Sequence, residues 1–259
     1  MAFNSIFGCK SRWANCDVRL HVWNNSPEMP VFFNDPCVIK YSGNNSTLPE
    51  IYNSVSAAVF GDESSDEVFL MISDDDTDYG NGRLSRVISE LQVCGRHVHD
   101  SSVGVFVPRL YSSGKLVSPG KRFLFKGRLV EKIEKGVHSS KNFVSINSGV
   151  IISRECYKKM SPLFNINLRF YGTDTDFFVR YESFFENVFV LDVNVDHSLS
   201  EHTAESSERS LFRWGDHIYA TRETFSSSSA GVSALLWVYL VFLKIKLSLR
   251  YRSFRYLWI

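Results

Sequence analysis

The sequence predicts an α/β protein, a mixed, mainly parallel sheet sandwiched by helices. Two observations carry this expectation. Segments of period-two or continuous apolar patterning alternate with segments of helical period over most of the chain, and such alternation favours helices packed on both faces of a sheet. The candidate strands also run into polar turns, NNSP at 24–27 and SDDDTD at 73–78, where open α/β sheets gather ligands.

In chain order, VRLHVW (18–23) places Val18, Leu20 and Val22 on one face of a strand. TLPEIYNSVSAAVF follows with Leu48, Ile51, Tyr52, Val55 and Val59 at helical spacing, and Thr47 with Glu50 three residues on is a capping-box signature. EVFLMIS (67–73) reads as a buried strand and GRLSRVISELQVC as a helix, with Leu84, Val87, Ile88 and Leu91 on one face. Strands are predicted at VGVFV (103–107), FVSINSGVIIS (143–153) and NVFVLDVNV (187–195), and a helix at DTDFFVRYESFF (174–185). The stretch 109–142 is rich in Gly, Lys and Ser and reads as an exposed hairpin or loop.

The 259 residues suffice for a substantial core, and 44% apolar with 22% charged residues is an ordinary globular composition. Lys+Arg 29 against Asp+Glu 28 leaves almost no net charge, so no nucleic-acid partner is expected. Cys9, Cys16, Cys37, Cys94 and Cys156 lack CxxC or Cys/His metal spacing and read as free thiols of a reducing compartment. MAFNSIFGCKSRW has neither the basic start nor the long apolar stretch of a secretory signal, which favours a cytoplasmic location.

FLMISDDDTDYG (69–80) puts four carboxylates within five positions behind an apolar run. In extended backbone Asp74 and Asp76 point the same way, so they converge on one site while Asp75 faces the other side. Such a cluster is either a solvated turn or the seat of Mg²⁺ or Mn²⁺, which take a couple of carboxylates plus phosphate oxygens and water. In RFYGTDTDFFVRY, Gly172 permits a tight turn before Asp174, which either caps a helix or serves chemistry. Asp176 is the competing carboxylate, and a helix begun there would turn it to another side. His197 follows a strand in VNVDHSLSE, as a structural residue or a ligand.

From residue 229 the character changes. AGVSALLWVYLVFL (230–243) is apolar, and KIKLSLRYRSFRYLWI adds Lys244, Lys246, Arg250, Arg252 and Arg255 without an acid. About 14 apolar residues fall short of the ~20 needed to cross a bilayer. Aromatics mixed with cations suit an anionic membrane interface, and the alternative is a core helix with a basic end. The cations do not fall on one clean helical face.

Together, HVWNNSP, NNSTLPEIYN, ISDDDT, NSGVIIS, GTDTDFF and DHSLSE, in this order over almost the whole chain, resemble the inverting family 2 glycosyltransferases of GT-A fold, in particular the rhamnosyltransferase-like enzymes of bacterial surface polysaccharide synthesis. The resemblance implies a GT-A domain over 1–228 and a membrane-associating tail over 229–259. It implies donor binding by Asn24, Asn45, Asp74 and Asp75, a divalent metal (Mg²⁺ or Mn²⁺) held by Asp76 and His197, and Asp174 as the base that deprotonates the acceptor. The implied partners are a nucleotide-sugar, dTDP-rhamnose or a UDP-sugar, and a glycan or undecaprenyl-diphosphate-linked acceptor in O-antigen, capsule or other surface polysaccharide assembly. The tail would place the enzyme on the inner face of the cell membrane.

Two departures accompany the resemblance. The family begins with an apolar strand ahead of the helix that FNSIFGCKSRW resembles, so the first strand is expected to be missing. Asn24 stands where the family has Asp, and an amide binds a ribose or base less strongly than a charged group. The partial likeness of SLFRW (210–214) to the QxxRW of processive synthases, with Ser210 in place of Gln, is taken as chance, and transfer of single sugars is expected. The alternatives are an inactive nucleotide-binding relic, or another metal-dependent nucleotide-sugar enzyme such as a nucleotidyltransferase, whose Gly-rich basic phosphate loop is not present.

Overall fold

The computed structural model describes residues 5–6, 18–26, 28, 35–43, 45–61, 69–95, 102–198 and 206–259. Most of FNSIFGCKSRW, together with Cys9, Cys16, Asn44 and the end of DHSLSE after Ser198, lies outside them. Strands β1 (Leu20–Asn24) and β2 (Val38–Ser42) lead into helix α1 (Leu48–Phe60). Then come β3 (Phe69–Met71), β4 (Thr77–Asp78), α2 (Arg83–Cys94), β5 (Val103–Ser112), β6 (Lys115–Ser118), β7 (Gly120–Phe123), β8 (Lys126–Arg128), β9 (Gly136–Ser139) and β10 (Phe143–Val144). The order ends with β11 (Ile151–Ser153), α3 (Arg154–Met160), α4 (Thr173–Tyr181), β12 (Asn187–His197), α5 (Ser207–Thr224), α6 (Ala230–Tyr251) and a 3₁₀ turn (Phe254–Leu257).

The main sheet runs β3-β11-β5-β12-β4, with β6 added to β5 and β9 to β12. Its β5–β12 ladder is parallel, as is the separate β1–β2 pair, whereas the remaining ladders of the sheet are antiparallel. This is the mixed α/β architecture expected from the alternation of elements. The antiparallel ladders come largely from short returns that patterning does not show. Among the described residues no strand joins the β1–β2 pair to β3.

Two of the expected elements differ in detail. The stretch 109–142 contains the expected exposed hairpin, β7–β8, but the rest of it adds further short strands, with Leu116 and Ser118 buried against β5. FVSINSGVIIS is not one strand: it breaks between β10 and β11. Gly149 makes the break, with φ +80 and a position where a Cβ would lie 2.7 Å from Pro108 Cγ, so only glycine fits. The break turns Asn147 and Ser148 out of the ladder toward the carboxylate turn.

The sheet is covered on both sides. Val105, Val107, Val188 and Val190 enter a core with Phe177, Phe178 and Tyr181 of α4. Val103, Phe106, Leu191 and Val193 enter another with Leu84 and Val87 of α2. Full burial contributes about 1.5–3 kcal/mol per large apolar side chain, so these two layers fix the strands whose ends carry the polar residues. A third cluster joins Ile218 of α5 and Phe225 just after it to Leu236, Leu240 and Leu247 of α6 and to Phe125 of the β7–β8 turn.

Helix α1 starts as its sequence predicts: Thr47 Oγ1 accepts from Glu50 N–H and the Glu50 carboxylate accepts from Thr47 N–H. The segment before α4 is tied to it, since Leu48 N–H donates to Arg169 O and Asn53 bonds both backbone groups of Phe164. Asp216 on α5 accepts the N–H groups of Phe170 and Tyr171. Gly172 then starts α4 in the left-handed region at φ +74, where a Cβ would lie 2.7 Å from Ala220 Cβ. The Gly172→Ala substitution should therefore destabilise the fold by about 2–4 kcal/mol, combining left-handed strain and overpacking. A urea midpoint lowered at unchanged slope is the expected result.

Candidate functional site

Five segments meet beyond the end of β3: the turn 73–76, the loop carrying Asn147 and Ser148, the end of β12, and the facing N-terminal turns of α1 and α4. A continuous set of hydrogen bonds holds the first three. Asp74 N–H donates to Ser148 Oγ at 2.9 Å, Ser148 Oγ lies 2.6 Å from Thr77 Oγ1, and Thr77 Oγ1 lies 3.0 Å from His197 Nδ1. Ser148 and Thr77 are wholly buried and His197 nearly so. Ser198 N–H donates to Asp76 O at 3.2 Å, closing the turn against β12. The turn is therefore built, not a floppy acidic loop.

Within it the acids separate. Asp76 Oδ1 is buried without a hydrogen-bond donor, although His197 Nδ1 stands 3.3 Å away. An unsatisfied buried carboxylate oxygen is costly and calls for a partner. Asp74 Oδ1 accepts from Tyr52 OH at 3.4 Å. Asp75 is exposed and stands apart from both. Asp78 pairs with Arg83 at 3.0 Å, and Arg83 also holds Asp196, so this acid braces the start of α2.

A divalent cation bound together with phosphate needs only a couple of side-chain ligands. Asp76 with its orphaned oxygen, and His197 beside it, fit that requirement. Among the described residues no three His, Cys, Asp or Glu side chains converge closely enough to hold an ion on their own.

Across the site, Asp174 lies in the first turn of α4, where its Oδ1 accepts from Thr175 N–H at 2.7 Å. Burial pushes its carboxyl above the ordinary range, the neighbouring charge of Asp74 adding to the shift. Burial, followed by the charge of Asp76, pushes Asp74 in the same direction. Tyr52 feels both carboxylates: burial and then Asp74 hold its hydroxyl well above the usual phenol value, so it stays a neutral donor between them. Asp176 points elsewhere. It is buried near Asn165, Arg180 and Thr224, and burial raises its carboxyl as well. The helix has begun by then and has turned the two acids apart.

Asn24 and Asn45 stand at the carboxyl ends of the first strand pair. Asn24 ends β1, and its Oδ1 accepts from Ser26 N–H at 3.0 Å. Asn45 is exposed in the loop after β2 with φ 54. Asn25 bonds both backbone groups of Ser46 and thereby joins the two loops. Patterning did not single out Tyr52, Thr77 or Ser148: Tyr52 counted as one of the apolar face of α1, and lone hydroxyls carry no period. The quoted stretches ISDDDT and NSGVIIS nevertheless contain two of the three.

No protein-family model and no curated protein sequence matches the chain. Among solved structures, GalNAc-T7, crystallised with UDP, GalNAc and Mn2+, matches with a TM-score of 0.54 at 9% identity, covering 88% of this chain and 45% of its own. The chain thus spans less than half the length of that protein. At such low identity the likeness speaks for architecture, and with the mixed sheet and its flanking helices it shows that the chain has the GT-A fold.

Proposed function

We propose that this protein is a metal-dependent, inverting glycosyltransferase that moves one sugar from a nucleotide-sugar, dTDP-rhamnose or a UDP-sugar, to a lipid-linked glycan in bacterial surface polysaccharide assembly. The observation that supports it most is the pairing of the orphaned Asp76 oxygen and His197 on one side of Tyr52 with Asp174 on the other. In this reading Asn24, Asn45, Asp74 and Asp75 face the donor nucleotide, and the acceptor is carried on undecaprenyl diphosphate at the inner membrane face. The GT-A fold and the UDP and Mn2+ bound by GalNAc-T7 agree with it.

A divalent cation bound at Asp76 and His197 would offset the negative charge that develops on the departing diphosphate. The residues do the rest. Tyr52 holds Asp74 in place, and the Ser148–Thr77–His197 bonds keep the imidazole fixed beside Asp76. Asp174 accepts the proton of the acceptor hydroxyl as that oxygen forms its bond to the anomeric carbon. The bond from that carbon to the diphosphate oxygen breaks with both electrons leaving on the nucleotide, so the configuration inverts. A carboxylate raised by burial is a better base than an exposed one.

Asp174→Asn should lower transfer by about 10²–10⁴-fold, the usual worth of a positioned base, with nucleotide affinity measured by calorimetry little changed. Full turnover in that variant would remove Asp174 from the role. Stability should move the other way. Because folding raises this pKa above its ordinary 3.8, the folded chain holds the extra proton between the unfolded-state and folded-state values, and stability falls as pH rises through that window. Asp174→Asn should therefore unfold at a higher urea concentration than the wild type at pH 7, with the difference closing as the pH falls toward 3.8.

A further inference from the structure

By length and composition α6 resembles a membrane span, with 22 residues and an 18-residue window of mean hydropathy 1.8. Its packing argues otherwise. Leu236, Leu240, Leu243 and Leu247, spaced four, three and four apart, form one stripe against α5 and Phe125. Beyond α6 the chain folds back, since Arg255 pairs with Glu208 at 2.6 Å and Tyr256 OH bonds Ser210 Oγ at 3.0 Å, both at the start of α5. A spanning α6 would draw α5, with Glu208, Arg209, Arg213, Asp216, Arg222 and Glu223, into hydrocarbon. Charged residues there are strongly unfavourable.

The opposite side of the same helix carries a second apolar stripe, and this one is exposed. Leu235, Val238, Phe242, Ile245 and Leu249 recur at three, four, three and four residues, and all five are open to solvent. Lys244, Lys246 and Arg250 fall between the two stripes on the helix flanks, which explains why the cations form no single face. The β7–β8 turn continues the exposed stripe. Phe125 anchors the turn to Tyr239 of α6, while Phe123 and Leu124 at its tip stay exposed. A groove of about 310 Å³ between turn and helix is lined by Phe123, Leu124, Leu235 and Val238, with Lys126 and Arg128 at its edge. Neither 113–130 nor 225–259 contains an acid.

We propose that the outward stripe of α6 and the tip of the β7–β8 turn form one monotopic docking surface for an anionic lipid bilayer, with α6 lying in the plane of the interface. Apolar residues facing away from the protein with cations at their flanks match acyl chains below anionic headgroups, and each such cation adds about 1 kcal/mol at that surface. The inference rests on the membrane-surface part of the proposed function, while its test needs neither donor nor turnover.

The test is co-sedimentation of the full chain with vesicles of phosphatidylcholine alone or with phosphatidylglycerol added as the anionic lipid. Binding should require the anionic lipid. Phe123→Ser with Leu124→Ser in the turn, and separately Phe242→Ser with Leu249→Ser in α6, should each weaken it by about tenfold or more, with near-ultraviolet circular dichroism and nucleotide binding unchanged. The chain expressed in cells should be released from membranes by alkaline carbonate. Undiminished binding of the turn variant, equal binding to neutral vesicles, or retention after carbonate would each overturn the proposal. Loss of sugar transfer with vesicle binding intact would count against the enzyme assignment alone.

Discussion

The site depends on a buried row of hydroxyls and an imidazole that runs from Asp74 N–H through Ser148 and Thr77 to His197. Each member comes from a different part of the chain: the turn after β3, the break before β11, β4 and the end of β12. Polar groups in such surroundings must be bonded or they destabilise the fold. The row therefore fixes the spacing of three strand ends at once. Beside the row, one carboxylate oxygen of Asp76 lacks a hydrogen-bond donor, and the functional reading rests on that oxygen.

Around this row the protein gathers like charges without neutralising them. Asp74, Asp76 and Asp174 share one region, and burial with mutual repulsion raises two of them. In the proposed reading this arrangement, unfavourable by itself, would become favourable with a cation and a phosphate bound, a common trade of stability for function. Stability is recovered in the two core layers on the sheet and in the contacts that Asp216 and Gly172 make to hold α4. Helix α5 thus serves the site indirectly, and it also carries the bonds that retain the end of the chain.

Much of this was readable in residues. The capping box of Thr47 and Glu50, the alternation along β12 and the placing of carboxylates behind β3 all follow from local chemistry, which the tertiary structure leaves intact. Other features were hidden for definable reasons. The break at Gly149 depends on the approach of Pro108, a contact distant in sequence. Helix α5 buries Ser210, Asp216, Ile218 and Ala220, so it shows no apolar stripe. Helix α6 has two apolar stripes on opposite sides, which cancel in any single-face reading. Tyr52 looks like core until Asp74 and Asp174 are seen beside it.

The central claim is that Asp76 and His197 form half of a metal site that a nucleoside diphosphate completes. Titration of Mn²⁺ followed by electron paramagnetic resonance, with and without UDP, measures this directly. Weak binding of the ion alone, strong binding with UDP, and loss of the UDP-dependent increase in Asp76→Ala are predicted. Strong binding without UDP, or a UDP effect unchanged in Asp76→Ala, would contradict the account.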